Sequence, residues 1–267
     1  MATLATSTAT LGVIAQLGAL ALLGLAYGKR ARTLGRRGQP VLGWRQAYFY
    51  GGLLTIAAAL ISLGGVSQEL LVGHMVEHLL LGNVATLLIV LGLTGPLIEP
   101  VLRVPLLRRL PVFVHPLIAL PLWAINLYAW HLPIFYEAAL RHTSVQVVEH
   151  AMLLGFGVNM WMCLFGPLPV PSWFGNSAKL GYIVAAWVTG ALLGNIFLWS
   201  GKVFYPYYIP GDVSRHISPI ADQNIAGAAM TIEESVLTLG LFCWLFLRTA
   251  RQGKARREPL ASRGRAG

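Results

Sequence analysis

Seven long apolar runs divide the chain, near residues 8–27, 46–66, 75–98, 112–131, 146–166, 179–200 and 224–247, each closed by charge, proline or glycine. A helix needs about 20 mostly apolar residues to cross a bilayer, and every run reaches that length. The pattern predicts an all-α, polytopic membrane bundle of seven transmembrane helices over residues 1–247. The fourth run is the least regular, because Pro116, Pro121 and Pro133 interrupt it. Proline inside a membrane helix is tolerated and marks a kink.

The polar residues between the runs supply a direction. Six basic residues lie in the first connection (Lys29, Arg30, Arg32, Arg36, Arg37, Arg45), three in the third (Arg103, Arg108, Arg109), Lys179 in the fifth, and seven after Phe246. These make 17 of the 20 basic residues, against Arg141, Lys202 and Arg215 on the opposite side. Lys and Arg mark the cytoplasmic face, so the expected topology is N-out/C-in. The basic tail, 248–267, reads as a disordered anchor to anionic lipid headgroups. No positive segment precedes the first run, which argues against a cleavable signal peptide.

Composition agrees with a lipid solvent. The chain is 56% hydrophobic and 11% charged, where a soluble domain carries about 25% charged residues. The net charge of +10 would suggest a nucleic-acid partner in a soluble protein, but its placement between spans assigns it to topology. No nucleic acid is expected. Cys163 and Cys243 lie in apolar runs without a CxxC spacing, so neither a disulfide nor a thiolate metal site is indicated.

Ionisable residues at membrane depth carry the chemistry. On the N-out topology six of the seven histidines fall on the outer side: His74 and His78 open the third span, His131 ends the fourth, His142 follows it, His150 lies one turn into the fifth, and His216 is in the sixth connection. A single interfacial histidine is ordinarily an amphipathic surface residue. His74 and His78 are four apart, however, which puts both imidazoles on one helix face and offers two nitrogens to one metal. Glu77, Glu149 and Asp222 lie near the same depth, as ligands or as groups that orient an imidazole. Met75, Met152 and Met230 add thioethers, and imidazole with thioether suits copper better than magnesium or calcium. His115, at the other end beside Pro116, reads as structural. Trp130, Trp161, Trp173 and Trp199 fit interfacial belts.

Two other chemistries compete. His74-Met75-Val76-Glu77-His78 matches H-x-x-E-H, the inverted zinc-protease pattern, with Glu77 activating water. Helix-borne histidines also ligate haem. A retinal pigment is excluded by the lack of lysine in the last span. Val76-Glu77-His78 and Val148-Glu149-His150 echo each other, as though one unit entered the membrane twice from outside.

Taken together, the blocks His74-Met75-Val76-Glu77-His78-Leu79-Leu80-Leu81, His115-Pro116, Trp130-His131-Leu132-Pro133 with Tyr136-Glu137-Ala138-Ala139-Leu140, Glu149-His150, and Ser218-Pro219-Ile220-Ala221-Asp222-Gln223-Asn224-Ile225-Ala226-Gly227 resemble the CtaG-type assembly factors of caa3-like cytochrome c oxidases. The resemblance runs from about His74 to the last helix. It implies a seven-helix, non-enzymatic protein of the bacterial plasma (inner) membrane that handles copper for a haem-copper oxidase subunit, with membrane lipid around it and a homo-oligomer as an open option. Carried over by position, the metal set is His74, His78, His131, His150 and Asp222 on the periplasmic side, supported by Met75, Glu77, Glu149 and His142. Copper transfer by ligand exchange calls for an open, hydrated site. Glu233 and Glu234 depart from the family's more apolar last helix, and pairing with Asn159 or Asn195, or a proton or ion relay, are the expected roles.

Overall fold

In lipid only an intrasegment ladder satisfies every backbone N–H and C=O, so uncharged apolar runs wind into helices. A computed structural model describes the backbone of residues 2–63, 65–105 and 110–263, with the side chains of 11–63, 65–105 and 111–251. No strand occurs among these residues. In chain order the helices are α1 (Ala2–Arg36), α2 (Gly43–Ala58), α3 (Val66–Glu69), α4 (Leu71–Leu79), α5 (Thr86–Gly92), α6 (Gly95–Leu102), α7 (Leu110–Phe113), α8 (Pro116–Trp130), α9 (Pro133–Arg141), α10 (Thr143–Phe165), α11 (Asn176–Trp199), α12 (Ile209–Ser214) and α13 (Pro219–Arg263). π-Helical turns at Ala59–Leu63 and Leu80–Ala85 extend α2 and join α4 to α5.

Among the described residues six helices are long and apolar enough to span a membrane, and α8 with α9, bent by 68°, supplies a seventh. The bend has a local cause. Pro133 excludes the helical region for the residue before it, and Leu132 is extended at φ −70°, ψ 132°. His131 is therefore held at a corner, as the last turn of α8 gives way to α9.

The third span, Leu71–Gly92, is the most buried of the six and forms the axis. Close packing relies on small residues, as is usual between membrane helices. A Cβ on Gly157 of α10 would collide with the Gly82 carbonyl oxygen of the π-turn, and α11 meets α13 where Gly194 and Gly227 face each other's carbonyls. Large apolar side chains such as Leu54, Ile125 and Val236 lie exposed on the outside, where lipid would cover them.

One end of the bundle gathers basic residues. Arg45 donates to the Leu91 and Leu93 carbonyls and Lys179 to the Leu164 carbonyl, both at helix C-termini, where cations are favourable, and Arg30 donates to the Pro96 carbonyl in the first turn of α6. Arg108 and Arg109 lie outside the described residues, as do the side chains of the basic tail from 252 onward, for which a lipid-anchoring role was expected. The tail's backbone continues α13 as far as Arg263. The histidine cluster lies at the opposite end.

Candidate metal centre

The centre begins with a cap. Asp222, in the first turn of α13, accepts the Leu71 N–H on Oδ2 (2.6 Å) and the Val72 N–H on Oδ1 (3.1 Å). A carboxylate at a helix N-terminus satisfies orphan donors and favours the helix dipole, so α13 fixes where α4 starts. One turn on, α4 presents His74 and His78, ring centroids 4.3 Å apart. Asp222 thus acts on the helix that bears the histidines and stands apart from the cluster itself. Of the five expected metal ligands, His74 and His78 join Glu149 in the compact group, while Asp222 faces the backbone N–H groups that open α4.

α10 supplies the facing side. One ligand atom each from His74, His78 and Glu149 lies within 4.8 Å of the others, all three buried. The two Glu-His dipeptides cross: His78 Nε2 is 3.5 Å from Glu149 Oε1, and His150 Nε2 is 3.8 Å from Glu77 Oε1. The echo seen in the sequence is therefore a reciprocal pairing in space. From the α8 corner, His131 closes a third side, 6.1 Å from His78 by ring centroids, and His150 is 6.4 Å from it.

Two of these rings have a fixed tautomer. His131 Nδ1 lies 2.7 Å from the Leu127 carbonyl oxygen, and His150 Nδ1 lies 3.1 Å from Gln16 Oε1. A carbonyl oxygen only accepts, so each Nδ1 bears the proton and each Nε2 presents a lone pair. Such outer hydrogen bonds are the usual means of aiming a ligating imidazole. Gln16 was not foreseen; its only signal is an amide in the otherwise apolar first span.

The cluster is short of partners. Among the described residues thirteen buried side-chain nitrogen and oxygen atoms make no hydrogen bond, and nine belong to His74, Glu77, His78, His131, Glu149 and His150. Each would cost about 1–3 kcal/mol, together comparable to a domain's whole stability of about 5–15 kcal/mol. The donor set fits a metal cation with imidazole and carboxylate ligands.

The centre is also roofed. Tyr136 of α9 stacks on Tyr205 at 3.9 Å, its hydroxyl lies 3.0 Å from that of Tyr208, and Tyr205 donates to the His131 carbonyl at 2.6 Å. All three tyrosines are buried, and no member of the cluster exceeds 7% exposure. The open, hydrated site expected from sequence is thus an enclosed one, because the connection before α12 folds back over it. Beside the cap, Asp212 of α12 is buried and hydrogen-bonded to Asp222; burial and that neighbouring carboxylate push it up to about 6.

The remaining candidates disperse. Glu77 is held by Ser67 as well as facing His150. Met75 packs in a core with Leu71, Tyr136 and Met230. His142 and His216 are exposed, and His115 accepts the Leu117 N–H to cap α8.

Fold and site define a polytopic helical membrane protein with a buried histidine–carboxylate centre near one end. The chain belongs to the cytochrome c oxidase caa3 assembly factor family (Caa3_CtaG), whose sequence model matches residues 25–252. The resemblance read from the histidine blocks is borne out, and Gln16 lies outside the matched segment. Comparisons with curated proteins and with solved structures return no match.

Proposed function

We propose that this chain holds copper at the His74–His78–Glu149 cluster, with His131 and His150 completing the donor set, and passes it to a haem-copper oxidase subunit without catalysing a reaction. The observation that supports this reading is the approach of ligand atoms from His74, His78 and Glu149 to within 4.8 Å of one another, in a cluster that holds nine unpartnered buried polar atoms. Imidazole-rich donors select copper or zinc over magnesium and calcium, and the oxidase-assembly family favours copper, which a haem-copper oxidase needs. The excess of basic residues at the other end supports a periplasmic side for the centre.

Because the site is enclosed, transfer requires the tyrosine roof to move before an acceptor's ligands displace these one at a time. Metal analysis of purified protein tests the reading, with copper, zinc and iron measured together in wild type and His78→Ala. Copper in the wild type that is lost in the variant supports it. Zinc in place of copper, with a hydrolytic activity abolished by Glu77→Gln, would instead establish the protease reading. A Soret band would establish the haem one.

A further inference from the structure

Beneath the histidines lies a second polar cluster that copper handling does not use. Glu233 and Glu234 are consecutive on α13, so they point about 100° apart, yet both reach one partner. The Asn83 amide nitrogen donates to Glu233 Oε2 at 3.0 Å and to Glu234 Oε1 at 3.2 Å. The residues expected to pair with them are occupied elsewhere: Asn159 donates to the Phe113 carbonyl, and Asn195 to that of Ala191. Gly190 of α11 makes room for Glu234, whose carboxylate a Cβ there would strike.

The groups left over are all oxygens. Glu233 Oε1 is buried without a partner, and so is Oδ1 of Asn126, a residue only 4% exposed. Asn126 and Glu234 line one cavity of ≈ 30 Å³, with His78 and His131 at its histidine side and no lysine or arginine in its wall. That volume holds one or two water-sized particles. Two carboxylates in a low-dielectric bundle without a cationic side chain are neutralised by a bound cation or by protonation. Oxygen donors favour a hard cation; the space has no room for magnesium's retained waters, and it offers fewer oxygens than the six to eight that calcium takes.

We propose that Glu233, Glu234, Asn83 and Asn126 form an internal site for one small, hard, monovalent cation, sodium. The site is independent of which metal the histidines hold.

Thermal unfolding of the full-length, copper-free protein in lipid nanodiscs tests this. Sodium is exchanged for a bulky organic cation at constant ionic strength, for wild type, Glu234→Gln and Asn126→Leu. A sodium occupant raises the wild-type Tm by about 5 °C near saturation. Both variants flatten that response. No sodium response in the wild type, with a carboxylic-acid C=O band in the infrared that Glu234→Gln diminishes, means that the carboxylates are protonated and overturns the site, as do equal sodium responses in wild type and variants. Should Glu234→Gln fail to fold, Asn126→Leu decides: an unaltered sodium response there also overturns the site.

Discussion

The histidine centre and the carboxylate pair both draw on the third span and on α8, meet at a cavity lined by His78, His131 and Glu234, and offer opposite chemistry. At the centre, carbonyl and amide groups fix two rings by Nδ1 and leave Nε2 bare, while at the pair one amide nitrogen ties two carboxylates together and leaves only oxygens. Ligand type and the groups that orient it are what separate a site for a borderline or soft metal from one for a hard cation.

Breaking one cluster should leave the other intact. The largest effect is expected for His78→Ala: copper in the purified protein falls to background, an affinity loss greater than about 100-fold, while the sodium response at Glu234 persists. Next, Glu149→Gln weakens copper at least about 10-fold, since an amide replaces a carboxylate donor. Asp222→Ala should behave differently, keeping copper near the wild-type level and lowering stability by about 1 kcal/mol through loss of the α4 cap. Titration with a competing chelator, alongside thermal unfolding, separates these two. Gln16→Leu frees the His150 ring and should weaken copper about 10-fold with little change in Tm.

The smallest effect concerns pH. Asp212 is raised from 3.8 to about 6 in the folded chain, which then binds its proton more tightly than the unfolded chain does. Stability is therefore greatest below about pH 4 and declines as pH rises toward about 6. Asp212→Asn should flatten that part of the Tm–pH curve.

Much of this could be read from the chain. Apolar runs gave the spans, Pro133 marked the corner that holds His131, and the His74–His78 spacing and the Glu-His echo located the centre. Depth along a helix is visible in sequence, whereas the neighbour a side chain meets is not. The sequence puts Asp222 and Glu149 at one depth, and only the fold shows that Asp222 meets the N-terminus of α4 and Glu149 meets the two histidines. The tyrosine roof was illegible for the same reason: Tyr136 and Tyr208 meet across 72 residues. Gln16 has no motif around it, and its role follows only from α1 packing beside α10.

The π-turn at Leu80–Ala85 works as a phase shifter between the two clusters. It winds one more residue into each of its turns than a regular helix would, so the face that carries His74 and His78 and the face that carries Asn83 and Thr86 are out of step with straight helical counting. Deleting Leu80 would restore a regular ladder and swing one set by about 100° against the other. The two clusters could then no longer both look inward, so the spare residue keeps both polar faces turned to one interior.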